Sequence, residues 1–579
     1  KNNYYIFSNG FYVTISLIAL VALLTPKLYK HYYYKIFAII TWFLLIGSLS
    51  QYFDSAFNGF SLPQRRWVYF LVLSTSGLIA LYIHHLSELT MKQFLFAAVP
   101  VFIAGLCRYI IADNFVDWMV IALIIIVVLG IFIYRKSLLK QPIIMLSLIV
   151  LFFGQQIIMT HDSRQRTIDP YSTTINTLSD PSYYNDTIAK KIDSIKEHHD
   201  DPFHRIDYMS AYALNSPFLY HYNGISLYSS IFDGGILKYY DKLMQINMPV
   251  DKNSTYRFLG NRANLTALWN VQDRLRHPED KNMTYGFEKK DTILNGKNTL
   301  IHSKNMIDYP SAHVTNHIYN SDDLKSPLDR EQAMLKGIVL NDNSEKANTS
   351  FKPNKNLLNE SKMFTKDATW KNQNHLKVHK DNGGVTLKLP ESIANQYKDM
   401  YVEMDVELLS PDKAHSVGVN EYSQNRNELS YKYRRLVTPV TMRVKASDKL
   451  NIHLSKGNYR LSVKGIYGED YSTLKKASKE LTPVKVKDMR NGYVVKKPKN
   501  ATGYVILPTV YANGMHAKVD GKEVPVHQAN GIMTAIPVNK GDKVIKLTYT
   551  PPHFYLLAIM SFIGIIGSIL FSLWVKKKR

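Results

Sequence analysis

The sequence predicts a multi-pass α-helical membrane bundle that carries an extracytoplasmic α/β module and antiparallel β-sandwich modules, then closes on a final transmembrane helix. Three observations predict it. Long apolar runs are confined to residues 4–159 and 553–575 of 579. The sequence between them is polar and broken by turns, so the 46% apolar content averages two very different parts. Lysine and arginine in the short connections fall almost wholly on alternate loops, as they do when one side of a bundle is cytoplasmic.

Seven apolar stretches, about 4–24, 36–53, 67–83, 94–112, 116–134, 142–159 and 553–575, are each near the roughly 20 residues a helix needs to cross about 30 Å of hydrocarbon. Lys27, Lys30, Lys35, Lys92, Arg135, Lys136, Lys140 and the tail from Lys576 to Arg579 mark one side as the cytoplasm. The opposite short loops carry only Arg65 and Arg66. The expectation is a cell-membrane protein with residues 160–552 outside the cytoplasm and the basic tail inside it. Its parts are a bundle over 1–159, an α/β module with linker over 160–360, sandwich modules over 361–552 and a last span with tail over 553–579. The chain opens on Lys1 without an initiator methionine or a signal-peptide pattern, which reads as a fragment whose N-terminal part is absent.

The polar part begins at Asp180-Pro181, where Ile188, Ile192 and Ile195 at helical spacing predict an amphipathic helix to about Lys196. A short strand over 203–209, helices near 229–243 and 262–271, and an Asn/Asp/Ser/Lys-rich linker over 320–360 follow. From about 364 the pattern changes to period-two segments separated by Gly, Asn and Asp turns, the signature of two antiparallel sandwich modules. Asp520-Gly521 within VDGKEV, between alternating segments, is a hairpin signal. The lone cysteine, Cys107, excludes an intramolecular disulfide, so this part must fold on its apolar core.

Net charge is +24, and the polar part alone holds 56 Lys and Arg against 43 Asp and Glu. Such an excess is either a solvated lysine-rich surface or a means of holding a polyanion. No P-loop, dinucleotide fingerprint, HExxH, CxxC or nucleophile elbow occurs. His198 and His199 show no metal-ligand spacing, so no metal site is expected and the need for a divalent cation stays open.

The loop DSAFNGFSLPQRRW, Asp54 to Trp67, is where chemistry is expected. Two adjacent guanidiniums, Arg65 and Arg66, at the outer membrane surface suit the phosphate of a lipid-linked donor, because each offers a planar fork of donors and keeps its charge when partly desolvated. The competing reading is an interfacial anchor of Arg, Trp67 and Tyr69 at headgroup level. Asn58, Gly59 and Trp67 would shape the loop. Arg108, one turn from the outer end of its span, is a third phosphate candidate, or it snorkels to the interface beside Asp113 and Asp117. Asp54 is the local candidate for an acidic catalytic role, against a simpler role in capping the loop.

These residues also carry a resemblance. FNGFSLPQRRW after two spans, YNGISLYSS (222–230), YGFE (285–288), and YVILPTVYANGMHAKVDGKEVPV leading to YTPPHF before the last span together resemble the bacterial YfhO membrane protein family along the whole chain. YPSAH (309–313) departs from the family pattern, which has an LPLGF-like segment there. The resemblance implies a GT-C-like glycosyltransferase of Gram-positive cells. It would move a sugar from a polyprenyl-phosphate donor to a teichoic acid, with the catalytic acid upstream of Lys1. It also makes Tyr222, Asn223, Tyr228 and Ser229 candidates for substrate binding. The implied partners are the bilayer, the lipid-linked sugar and an anionic wall polymer, and not nucleic acid. A noncatalytic, membrane-anchored scaffold that binds teichoic acid or another glycan is the alternative. A flippase for the lipid-linked sugar is a third reading, with little midplane polarity to support it.

Overall fold

The computed structural model describes residues 13–60, 67–112, scattered positions between 130 and 161, and 184–578 apart from 210–213, 230, 232, 250, 253, 281–282, 295–298 and 342–344. The chain divides into two compact units, Lys1–Leu178 and Ser179–Arg579.

In the first unit the helices Val13–Leu23, Tyr32–Gly47, Val68–His85 and Met91–Ala112 pack around Ala22, Leu28, Tyr34, Ala38, Leu78 and Phe94. Helix Tyr32–Gly47 buries Tyr34, Ala38, Thr41 and Leu44, which recur on one face, and leaves Ile39, Ile40, Phe43 and Ile46 exposed. Gly77 sits where the facing Phe37 ring passes; a Cβ there would meet it at 2.4 Å.

The expected multi-pass bundle needs correction. Among the described residues only Val68–Glu88 and Phe554–Lys578 are long and apolar enough to cross a membrane. The run 36–53 does not form one span, because the helix stops at Gly47 and restarts as the six-residue Gln51–Ala56. Sixteen residues rise about 24 Å, short of the roughly 30 Å hydrocarbon thickness. The helix Met91–Ala112 carries Pro100 inside it, and its Met91–Ala104 part is apolar. The fold is instead dominated by β-sheets in the second unit.

There the strands β1 (Arg205–Tyr208), β2 (Ser226–Tyr228), β3 (Thr255–Arg257), β4 (Val271–Arg276), β5 (Phe287–Ile293), β6 (Leu300–Asn305) and β7 (His313–Thr315) come first. A four-stranded sheet runs β1-β4-β6-β5, with β1 parallel to β4 and the other pairs antiparallel. Helix Asp186–Glu197, capped by the Asn185 side chain on the Ile188 N–H, lays Ile188, Ile192 and Ile195 against Ile206, Leu275 and Leu300 of this sheet.

Two sandwiches follow. In the first, β8 (Lys362–Lys366), β9 (Ala368–Asn372), β10 (His375–Val378), β11 (Gly383–Lys388), β12 (Asp399–Ser410), β13 (His415–Val419), β14 (Tyr422–Arg426), β15 (Pro439–Lys445), β16 (Lys449–Leu454) and β17 (Gly457–Glu469) make sheets of order β15-β12-β17-β10-β9 and β14-β13-β16-β11-β8. Alternate residues of both, such as Val402, Met404, Leu461, Leu387, Val417 and Ile452, fill one core.

In the second, β18 (Thr482–Pro483), β19 (Lys485–Met489), β20 (Gly492–Lys496), β21 (Gly503–Val510), β22 (Met515–Val519), β23 (Lys522–Val524), β24 (His527–Ala529), β25 (Met533–Val538) and β26 (Val544–Tyr549) form sheets β18-β7-β21-β25-β24 and β19-β20-β26-β22-β23. Its core joins Val314, Val505, Leu507 and Ile536 to Val495, Val519 and Ile545. Because β7 precedes the first sandwich in sequence and pairs with β18 and β21 after it, the first sandwich is inserted within the second. Asp520 and Gly521, both at positive φ, turn β22 into β23.

The outer face of β21 and β25 meets the helices Ala263–Leu268, Pro327–Lys336 and Ser472–Glu480 in a further core. After β26 the chain enters the helix Phe554–Lys578, which has no buried residue. Its 25 residues rise about 37 Å, enough to cross a bilayer.

Candidate functional site

In the polar loop, Asp54 lies on helix Gln51–Ala56 and is 8% exposed. Its Oδ1 accepts a hydrogen bond from Trp67 Nε1 at 2.7 Å. Trp67, 1% exposed, packs edge-on to Phe53 and against Leu44 and Leu71. The two ends of the loop are thus fastened to each other, and the Asp54 carboxylate is engaged in holding them. Asn58 donates its backbone N–H to the Ser55 carbonyl, and Gly59 and Phe60 follow at φ of 63° and 56°. Arg65 and Arg66 lie outside the described residues, and Arg108 is placed on helix Met91–Ala112 with its side chain outside them.

The candidate substrate residues of the second unit have structural neighbours. Tyr222 is buried and its hydroxyl pairs with Ser216 Oγ at 2.9 Å. Asn223 donates from Nδ2 to the Pro202 carbonyl at 2.8 Å, and its own carbonyl accepts the Ile206 N–H. Tyr228 is half exposed on β2, with its N–H given to Asn215 Oδ1. Ser229 Oγ donates to the Ile231 carbonyl. Asn223 therefore reaches the 199–204 segment, whereas Tyr228 is tied to Asn215 and only Ser229 closes a local turn.

That segment forms one wall of a cleft of about 880 Å³ lined by His199, His204, Asn270, Gln272, four lysines (Lys290, Lys304, Lys485, Lys487), Asp200, Asp201, Asp308 and the Tyr309–Ala312 run, among others. The segment is held in place at several points. Asp201 accepts from the Phe203 N–H and from Asn270 Nδ2, which consumes that acid internally. Arg205, stacked 5.5 Å from the Trp269 ring, ties the start of β1 to the Trp269 and Pro508 carbonyls.

A chain of polar contacts crosses the sheet beneath. Lys191 Nζ meets Asp291 Oδ2 at 2.7 Å; His302 lies between Asp291, 3.2 Å from Nδ1, and Asp273, 2.6 Å from Nε2; and His204 Nε2 contacts Asp273 Oδ2 at 2.7 Å. Burial works to raise Asp273, but hydrogen bonds from His204 and His302 outweigh it and hold the carboxyl well below the usual range. Burial first, then the charge of His204, lowers His199. Sequence reasoning missed His204, Asp273 and His302 because they come from β1 or its approach, β4 and β6, brought together only by strand pairing.

A sheet-rich unit that ends in a long apolar helix with no buried residue is consistent with a membrane protein. The chain belongs to the YfhO family: the model of bacterial membrane protein YfhO matches residues 1–561. The uncharacterized protein YfhO of Bacillus subtilis (strain 168) is 30% identical over 578 residues, covering 97% of this chain and 65% of that protein. The chain thus spans just under two thirds of that relative's length.

Proposed function

We propose that this protein serves as a membrane glycosyltransferase that moves a sugar from a polyprenyl-phosphate donor to an anionic cell-wall polymer such as teichoic acid, with the sheet-rich unit outside the cytoplasm and the basic tail inside. The observation that carries the reading is the Asp54–Trp67 hydrogen bond. It fixes the residue next to Arg66 at the start of helix Val68–His85, and a helix N-terminus favours anions. Arg65 and Arg66, with Arg108, would stabilise charge on the departing phosphate, while a base near the acceptor takes up the hydroxyl proton. Asp54 is buried and committed to Trp67, which favours a positioning role for it over that of the base.

The test uses the full-length protein in cells. Arg65→Ala and Arg66→Ala are expected to remove the added sugar from the wall polymer, read by mass analysis, with membrane insertion intact. Unchanged sugar content in both variants would sink the phosphate role.

A second reading, a noncatalytic glycan-binding scaffold, draws on a groove of about 390 Å³ in the first sandwich, where Trp370 is flanked by Asn372, Gln373 and Asn374. An aromatic face with amides at its rim suits a sugar ring and its hydroxyls. Under that reading the polymer keeps the same mass without the protein, and Trp370→Ala abolishes retention on it.

A further inference from the structure

Three imidazoles converge on one buried carboxylate at the cleft. Asp273, 1% exposed, has His302 on Oδ1 and both His204 and His199 on the side of Oδ2, at 2.7 and 3.9 Å. The His199 and His204 rings stack in parallel, with centroids 4.0 Å apart and planes 15° from each other. One ligand atom from each of His199, His204 and Asp273 lies within 4.8 Å of the others. Hydrogen bonding accounts for His204 but not for His199, whose Nε2 is beyond hydrogen-bond distance from the oxygen it faces.

We propose that His199, His204 and Asp273 form a binding site for one divalent transition-metal cation of the zinc or manganese kind, open toward the cleft. Two imidazole nitrogens and one carboxylate oxygen are the donors such ions take, whereas calcium and magnesium prefer all-oxygen sets. Ligand atoms about 2.1 Å from a shared ion stand roughly 3 to 4 Å apart. The present spacing therefore needs only a small opening of the His204–Asp273 contact and a small inward movement of His199. His199 is the most exposed of the three and lies just past the end of helix Asp186–Glu197, which leaves it room to move. The outer shell is already built. His302 holds the far oxygen of Asp273 and is itself held by Asp291, which Lys191 holds in turn. His199 and His204 also line the cleft, so the remaining coordination positions face its interior.

A second group, His31, His85 and Glu88, has comparable spacing, but Lys30 Nζ lies 2.6 Å from the Glu88 carboxylate and already supplies its positive partner. The inference does not depend on the transferase reading. It is tested on the full chain in detergent with Co²⁺ as the spectroscopic probe and Zn²⁺ as competitor. Wild type is expected to bind one more Co²⁺ per chain than His199→Ala. The difference should appear as ligand-field absorption that Zn²⁺ displaces, with affinity at this site at least about 100-fold weaker in Asp273→Asn. His198→Ala, a neighbour whose ring turns to the Ser194 carbonyl, should bind like wild type. Equal uptake and the same spectrum in wild type and His199→Ala, both folded by circular dichroism, would overturn the proposal, as would a wild type that binds no Co²⁺.

Discussion

His313 on β7 is 1% exposed, gives its Nδ1–H to the Pro310 carbonyl at 2.8 Å and leaves Nε2 buried without a hydrogen-bond partner among the described residues. Burial lowers its pKa from 6.5 to about 4. The neutral ring is thus favoured in the folded state. The stability it contributes is complete above pH 6.5 and is lost as pH falls through about 4. The loss expected is on the order of 3 kcal/mol, and His313→Leu should flatten the denaturation midpoint across that pH window. A second residue-scale prediction concerns Arg262 and Glu331, both fully buried and 3.2 Å apart. Burial pushes the Glu331 carboxyl up, while Arg262 and the Tyr401 hydroxyl hold it down. Glu331→Ala strands the Arg262 charge in the core and should cost about 3–5 kcal/mol by chemical denaturation. Neither residue announces this in the sequence, since Tyr401 and the Thr441 carbonyl that complete the network come from the inserted sandwich.

At the scale of elements, the period-two segments were legible because sandwich strands bury one face, and that alternation survives in the sequence, as in Met400, Val402, Met404 and Val406 of β12. The helix Asp186–Glu197 was legible for the same reason at its own period. The expected spans 67–83 and 553–575 match Val68–Glu88 and Phe554–Lys578, but apolarity alone does not reveal the break after Gly47 that divides residues 36–53. Short β7 was invisible: three residues carry no period, and its place in a sheet is set by partners far along the chain. Its pairing depends on Gly503, at φ 114°, where an added Cβ would meet the Thr315 carbonyl oxygen at 2.3 Å. Gly503→Ala is expected to destabilise the second unit by about 1–3 kcal/mol, read as a lower denaturant midpoint with unchanged slope.

For the whole molecule, the charge excess of the polar part was plain in the composition, but the cleft that gathers Lys290, Lys304, Lys485 and Lys487 was not, because those residues come from two different sheets. If that cleft holds an anionic polymer, Lys304→Glu together with Lys485→Glu should weaken retention of the full-length protein on purified teichoic acid. The same pair should make binding less sensitive to salt between low and physiological ionic strength. Retention unchanged at every salt concentration would place the polymer elsewhere.

The nesting of one sandwich inside the other also dictates an order of events at birth. As the chain is synthesised, residues 313–315 emerge well before 482–483 and 503–510, their partners in the sheet. The inserted sandwich, all of whose strands lie between those two sets, can close first and draw its own ends together. Until then β7 is an unsatisfied strand edge, the kind of surface on which nascent chains mispair. Early completion of the inner domain shortens that exposure, since a folded insert holds β7 near the place where β21 will arrive.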